Sequence, residues 1–147
     1  MKKEMIQTPK VVTCILEHGG KILLFKRSKL VGTYRGLWGG VAGYVEELEE
    51  PYDTAVKEIR QEAGIDLDAL KLVRKGDPIE FSDTYDGRRY DWIVYPFLFH
   101  IKSKELVRID WEHEEYRWIT PSEVKKFDTV PGLDEVVAQL IGTGDII

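Results

Sequence analysis

The sequence has little cysteine and no long apolar run, and each absence excludes a class of protein. Among 147 residues only Cys14 is a cysteine, so neither an intramolecular disulfide nor a cysteine-based zinc cluster can form. Its apolar surroundings, residues 11–16, indicate a buried core thiol. No stretch approaches the roughly eighteen uninterrupted apolar residues of a membrane-spanning helix, and residues 1–9 lack the apolar run of a signal peptide. We therefore expect a cytoplasmic protein with no membrane partner.

An excess of positive charge is also missing. The chain has 26 acidic and 21 basic residues, which gives a formal net charge of −5. This balance disfavours broad electrostatic binding to duplex nucleic acid or to anionic lipid, so we expect neither as a partner. An anionic small-molecule substrate would need a local source of positive charge, such as a metal ion.

The length is typical of one domain, and no repeat, low-complexity tract or linker interrupts the chain. We therefore expect a single domain over residues 1–147. Strands and helices must share one core, which predicts an α/β fold in the form of an α/β/α sandwich with a mixed β-sheet. The predicted strands are 11–16, 21–25, 70–73, 79–81, 92–101 and 116–119, with a hairpin turn at Asp86-Gly87, a helix opened by Thr120 and Pro121, and a final helix over 133–141.

A further helix is predicted from Pro51 to Ala63 by apolar residues at three- and four-residue steps, and Gly64 suits the position that ends it. Glu58 and Glu62 are four residues apart, so they share one edge of this helix, which we place at the boundary between core and solvent. A hard divalent cation with oxygen ligands would turn their repulsion into attraction. A solvated acidic edge is the commoner explanation of such a pair, so the surrounding residues must decide.

The surrounding residues, GYVEELEEPYDTAVKEIRQEAGI over 43–65, resemble the Nudix box. That box consists of Gly, five residues, Glu, seven residues, Arg-Glu, an aliphatic residue, one residue, Glu-Glu, one residue, Gly and an aliphatic residue. The chain therefore resembles the Nudix (MutT-like) hydrolases, and the likeness continues in the preceding strand pair, in 36–40 and in 118–121. The box positions that match are Gly43, Glu49, Glu58, Ile59, Glu62, Gly64 and Ile65.

The resemblance implies Mg²⁺-dependent hydrolysis, with Mn²⁺ as an alternative ion. The bond cleaved would be a phosphoanhydride in a nucleoside diphosphate linked to another moiety, such as an NTP, a dNTP or an ADP-ribose-like compound. Glu58 and Glu62 would be catalytic metal ligands, completed by the backbone carbonyl of Gly43 or its neighbour. The general base would be Glu58 or a glutamate from a distant loop, where Glu114 and Glu115 are candidates and we select Glu115. Many relatives pair, which implies a homodimer.

Other residues are candidates for the substrate pocket. Arg27 follows the second predicted strand, where Nudix proteins often place a basic residue near substrate phosphate, and its planar guanidinium suits phosphate oxygens. Aromatic residues in strands belong mainly to the core, and Trp92 and Tyr95 differ in parity, so at most one of them faces a cavity. The histidines are too widely spaced to suggest a site: His18, His100 and His113.

Two positions depart from the Nudix pattern. Lys57 stands where the Nudix pattern has an arginine, which ties the loop glutamate, here Glu49, to the helix. Lysine keeps the positive charge but lacks the two-pronged guanidinium that can bind both carboxylate oxygens. We therefore expect a looser loop with catalysis retained. Gln61 replaces the first glutamate of the Glu-Glu pair, and a neutral amide ligand predicts fewer tightly held ions.

These departures keep an alternative open, a catalytically weak Nudix-fold module that binds a nucleotide without turning it over. A third hypothesis is an isoprenyl diphosphate isomerase of the same fold. Such an enzyme would normally add a catalytic cysteine and metal-binding histidines, and Cys14 in a predicted core strand fits that poorly.

Overall fold

The computed structural model describes residues 8–141 and shows a mixed β-sheet between two α-helices. Residues 1–7 and 142–147, which belong to the predicted single domain, lie outside the described residues. The prediction that residues 1–9 contain no signal peptide therefore falls mostly outside them as well. The elements in chain order are β1 (Lys10–His18), β2 (Lys21–Arg27), β3 (Trp38–Gly39), β4 (Val41–Tyr44), α1 (Pro51–Ala63), β5 (Leu70–Lys75), β6 (Ile79–Tyr85), β7 (Arg88–Ile101), β8 (His113–Ile119) and α2 (Leu133–Ile141).

The sheet has eight strands with the central order β3-β2-β1-β7-β5, and β4, β6 and β8 add to β1, β7 and β2. The β1–β7 pair is parallel and the other pairs are antiparallel, so the predicted mixed sheet is confirmed. Within residues 8–141 neither α-helix is long and apolar enough to cross a membrane.

Each face of the sheet is covered by one helix. Cys14 is fully buried, as predicted, and packs in a cluster with Ile59 of α1. Its neighbour Ile15 packs on the other face with Val136 of α2, because successive side chains of a strand point to opposite sides. The predicted α/β/α sandwich is therefore confirmed.

Helix α1 has the predicted bounds. Pro51 lies in its first turn, and Gly64 ends it with a φ of +70°, where its N–H donates to the carbonyl of Arg60. The expected position of Glu62 at the solvent boundary was wrong, because this side chain is buried with 1% exposure. The side chain of Glu58, one helical turn earlier in α1, is half-buried.

The remaining predicted elements are present, with two differences. Strand β8 begins earlier than residue 116, at His113, and residues after Thr120 form a 3₁₀-helix, Pro121–Lys126. The Glu123 carboxylate accepts hydrogen bonds from the Thr120 backbone N–H and hydroxyl, at 2.9 and 2.7 Å. The predicted hairpin turn at Asp86 and Gly87 is confirmed, with β6 and β7 extending up to it.

Candidate active site

A gap between strands creates the cavity of this fold. Along the edge of β1 that does not pair with β7, the C-terminal half pairs with β2 and the N-terminal half pairs with β4. Strand β2 continues instead beside β3 and β8. The strands therefore diverge, and a cavity of about 360 Å³ opens beside them.

Charged and aromatic side chains are prominent in the lining of this cavity. The charged lining comprises Arg27, Glu46, Glu58 and Glu112. The aromatic lining comprises Tyr34, Tyr44, Phe81 and Trp92. Three carboxyl groups against one guanidinium would repel an anionic ligand, so a phosphate compound needs a cation to bind here favourably.

Glu62 is not one of the residues that line the cavity, but it is in contact with Ala42 and Glu58, which do line it. It is a buried carboxyl group with incomplete hydrogen bonding. Its Oε1 accepts a hydrogen bond from the Ala42 backbone N–H at 3.4 Å, and its Oε2 has no hydrogen-bond partner among the described residues. Burial first, and then the adjacent carboxyl of Glu58, raise the pKa of Glu62 to about 11. A divalent cation would supply the partner that Oε2 lacks.

The backbone of β4 comes very close to Glu58 because residue 43 is a glycine. A Cβ atom at Gly43 would stand 2.5 Å from the Cδ atom of Glu58, which is closer than carbon atoms can pack. The structure thus brings together the predicted set of Gly43, Glu58 and Glu62. Two carboxylates and a backbone oxygen suit Mg²⁺, which fills its other positions with water and substrate phosphate. Within residues 8–141 no group of three or more His, Cys, Asp or Glu side chains forms a metal cluster.

Arg27 lines the same cavity. Its Nε donates to the backbone carbonyl of Thr33 at 2.9 Å and its Nη2 donates to the hydroxyl of that residue at 3.4 Å. Burial lowers the pKa of Arg27, which the nearby Glu62 and Glu112 oppose, and a guanidinium stays charged at neutral pH. These two bonds orient the group while leaving N–H donors for an anion.

Glu115, selected from the sequence as general base, is not brought to the cavity. Its Oε2 lies 3.4 Å from the Nε of Arg117, whose guanidinium lies 5.7 Å from the ring centre of Trp38. Trp38 belongs to the core on the α2 face. Among the described residues the cavity lining includes neither Glu114 nor Glu115.

Glu112 lines the cavity instead. The β2–β8 register shifts between Lys26 and Arg27, so one extra residue of β8 is accommodated and the side chains before it change face. Burial, followed by the charge of Asp110, raises the pKa of Glu112. The assignment made for Glu115 therefore passes to Glu112 as a proposal.

His113 is a residue of this region that sequence reasoning missed. Its side chain is 1% exposed, its Nε2 lies 3.6 Å from Oε1 of Glu62, and its ring lies 4.7 Å from that of Phe25. Burial lowers the pKa of His113 to about 4, so the ring is neutral at pH 7. No spacing in the sequence could reveal it, because only the fold brings β8 to α1.

The other two histidines, His18 and His100, stack on each other, with 5.4 Å between ring centres.

The two departures from the Nudix pattern occupy distinct places. The Nζ atom of Lys57 lies 3.2 and 3.0 Å from the two carboxylate oxygens of Glu49, so lysine reaches the loop glutamate; the looser loop stays a prediction. Gln61 lines the cavity with its neutral amide.

Of the two aromatic residues with opposite parity, Trp92 lines the cavity and Tyr95 packs against the core on the α1 side, as the parity predicts.

Proteins with similar sequences are known. A family model described as the NUDIX domain matches residues 7–140. Nucleoside triphosphatase NudI of Escherichia coli O139:H28 is 29% identical over 125 residues, which cover 80% of this chain and 86% of that protein.

Two solved structures share the fold. The MutT protein from Methanosarcina mazei Go1 superposes with a TM-score of 0.68 and 22% identity, covering 89% of this chain and 91% of that one. The E. coli dihydroneopterin triphosphate pyrophosphohydrolase superposes with a TM-score of 0.70 and 18% identity, covering 92% and 97%.

Proposed function

The chain belongs to the Nudix family of pyrophosphohydrolases acting on acid anhydrides, and on that basis we propose that it is a Mg²⁺-dependent hydrolase of nucleotides. The bond cleaved is a phosphoanhydride in an NTP, a dNTP or another nucleoside diphosphate derivative, and Mn²⁺ is the alternative ion. The observation that carries this proposal is the buried Glu62 carboxyl, with one unpartnered oxygen, beside Glu58 at a mainly acidic cavity. The relative NudI, named a nucleoside triphosphatase, supports a nucleotide as the substrate.

The roles of the residues follow from their positions. Glu58 and Glu62 hold the ion, together with the backbone carbonyl of Gly43 or its neighbour. When bound, the ion activates a water molecule and neutralises charge on the phosphate oxygens. The guanidinium of Arg27 donates charge-assisted hydrogen bonds to those oxygens and orients the phosphate chain.

Proton transfer is assigned to a carboxylate of the charged lining. As the water oxygen bonds to phosphorus, the bridging P–O bond breaks and its electron pair leaves with the second phosphate. Glu112 accepts the proton of the attacking water, and Glu58 is the alternative acceptor. His113 is a positioning residue, because it is buried against Glu62 and is not among the residues that line the cavity.

The test is hydrolysis of a panel of NTPs, dNTPs, ADP-ribose, NADH and dinucleoside polyphosphates with Mg²⁺, followed by chromatography of the products. We expect turnover of at least one compound, and a loss of at least about 10²-fold in Glu62→Gln. The matched control is Glu105→Gln, an exposed glutamate of a 3₁₀-turn, which should keep wild-type activity. Equal activity of Glu62→Gln and wild type would contradict the proposal.

The second candidate is the catalytically weak nucleotide-binding module. The observation that favours it is Gln61, which presents a neutral amide to the cavity at a position where the Nudix box has a glutamate. Absence of turnover on the whole panel, together with measurable affinity for one nucleotide, would support this reading over hydrolysis.

A further inference from the structure

We propose that the aromatic lining binds the base of the nucleotide by stacking and does not read the hydrogen-bonding edge of that base. The protein would then accept purine and pyrimidine nucleotides alike. This inference rests on the proposed function, because it assigns the part of the same cavity that the phosphates and the ion leave unused.

The aromatic lining is assembled from separate segments of the chain. Tyr44 ends β4, and Trp92 comes from β7, with 6.4 Å between the two ring centres and 29° between their planes. Tyr34, from the loop after β2, lies 6.1 Å from Trp92. Tyr44 is 56% exposed, while the other rings of this lining are more buried. An open ring face in a cavity favours a flat aromatic partner, because stacking contributes both apolar burial and favourable ring geometry.

Two of the three side-chain hydrogen-bond donors of the aromatic lining, those of Tyr34 and Trp92, are already used within the protein. The hydroxyl of Tyr34 donates to Oδ2 of Asp83 at 2.6 Å, and the indole N–H of Trp92 donates to the oxygen of that tyrosine at 3.2 Å. An indole has a single donor, so Trp92 has none left for a ligand. A base that enters the cavity therefore meets ring faces, with the polar hydrogens of Tyr34 and Trp92 occupied elsewhere.

The remaining polar groups near these rings discriminate poorly between bases. The hydroxyls of Tyr44, Thr13 and Thr33 line the cavity, and each can donate or accept, so each suits any base edge. The Gln61 amide also lines the cavity, but it belongs to α1, where it lies beside the proposed ion ligands Glu58 and Glu62. Strong selection among bases requires fixed donors and acceptors that the wrong base would leave unpaired. The aliphatic lining residues cannot supply them: Val11, Ala42, Val94, Val130 and Pro131.

The position of Tyr34 is fixed before any ligand binds. Its φ of +51° is left-handed, which is unfavourable for an aromatic residue unless surrounding contacts hold it. Those contacts are the hydrogen bond to Asp83 in β6 and the ring of Tyr85, 4.8 Å away. A ring that is ordered in advance lowers the entropic cost of binding. The cavity, at about 360 Å³, lies within the usual size range of small-molecule sites.

The experiment measures affinities by calorimetry with Mg²⁺, using α,β-methylene triphosphates of adenosine, guanosine, cytidine and uridine, with inorganic tripolyphosphate as the probe that lacks a base. The variants are Tyr44→Leu, which removes the exposed ring, and Tyr44→Phe, which keeps it. The matched control is Tyr116→Leu, a partly exposed tyrosine of β8 outside the cavity lining. Because Tyr44 is exposed, its replacement should not impair folding.

We expect the four analogues to bind wild type within about tenfold of one another, and Tyr44→Leu to weaken each by about tenfold. Tyr44→Phe and Tyr116→Leu should stay within about twofold of wild type, and tripolyphosphate should bind all variants equally. A preference of more than about a hundredfold for one base would overturn the inference. So would unchanged nucleotide affinity in Tyr44→Leu, an equal loss for tripolyphosphate, or no binding of any analogue.

These outcomes are separable from those of the hydrolysis test. Nucleotide binding that depends on Tyr44 without any turnover would support the stacking inference and contradict hydrolysis. Glu62-dependent turnover with affinities indifferent to Tyr44 would do the reverse.

Discussion

At the scale of single residues, the burial of Glu62 is the feature that packing does not explain. The side chain is 1% exposed, one of its oxygens lacks a hydrogen-bond partner within residues 8–141, and its pKa is raised to about 11. An unpaired buried carboxyl is unfavourable, and an apolar residue of similar size would fill the same space at less cost. A glutamate here is therefore better explained by a ligand than by packing. The neighbouring Glu58 and the close approach of Gly43 support the proposal that this ligand is a cation.

Gln61 allows the number of bound ions to be tested. Gln61→Glu introduces a charged oxygen ligand at the cavity, so we expect Mn²⁺ affinity to rise by about tenfold or an additional ion to bind. A titration of free Mn²⁺ by electron paramagnetic resonance measures both quantities. Gln61→Asn is the neutral control and should not tighten binding. Equal affinities of wild type and Gln61→Glu would show that position 61 does not contact the ion.

The general base can be assigned by comparing Glu112→Gln with Glu115→Gln. Glu112 lines the cavity and Glu115 lies beside Arg117, so the first change should lower kcat by about 10²-fold or more and the second by less than about twofold. Steady-state kinetics on the best substrate of the panel decides between them. The opposite ranking would return the role to Glu115. Loss in neither variant would assign proton transfer to Glu58.

The difference between Glu112 and Glu115 shows which parts of the site the sequence could predict. The spacing of Glu58 and Glu62 is local to one helix, and the box pattern adds Gly43, all of which the structure brings together. Glu112 and His113 reach the same place only through the pairing of β8 with β2 and its register shift. Non-local pairing and bulges leave no periodic signal in the sequence.

At the scale of elements, the site depends on the contact between β4 and α1. Gly43→Ala would place a Cβ atom 2.5 Å from Cδ of Glu58, so the carboxylate must move. We expect activity to fall by about 10²-fold, since displacement by about 1 Å is enough for that loss. The matched control is Gly32→Ala, because a Cβ there meets no atom within 4 Å. Full activity of Gly43→Ala, measured beside its thermal melt, would contradict the proposed role of this contact.

Elements with local signals were predicted most accurately. The bounds of α1 match because Pro51 and Gly64 mark its ends, and α2 matches over Leu133–Ile141. Strand β8 was predicted too short, since its first three residues are a histidine and two glutamates, which become a strand only by pairing with β2. The parallel β1–β7 pair joins segments far apart in the chain, which alternation of apolar residues cannot reveal.

At the scale of the whole molecule, two clusters of buried apolar side chains cover both faces of the sheet. A core of this extent should be stable without metal, so we expect protein dialysed against EDTA to unfold in one cooperative transition. Adding Mg²⁺ should raise Tm by no more than about 10 °C, through preferential binding to the folded state. Circular dichroism melts measure this directly, with the EDTA-dialysed protein in Mg²⁺-free buffer as the baseline. An unfolded metal-free chain would show that the ion is structural.

The sandwich architecture was predictable from the order of elements, because strands and helices in one short chain have few ways to bury their apolar faces. Assembly was not predictable in the same way. The homodimer implied by the resemblance stays a prediction, since no residue pattern specifies an interface.

The most direct test of the central claim is Mn²⁺ binding to the nucleotide-free protein, measured by electron paramagnetic resonance in wild type, Glu58→Gln, Glu62→Gln and the control Glu105→Gln. If Glu58 and Glu62 together hold the ion, each of their variants should weaken Mn²⁺ binding by at least about tenfold while the control binds like wild type. Unchanged Mn²⁺ affinity in both Glu58→Gln and Glu62→Gln would contradict the account.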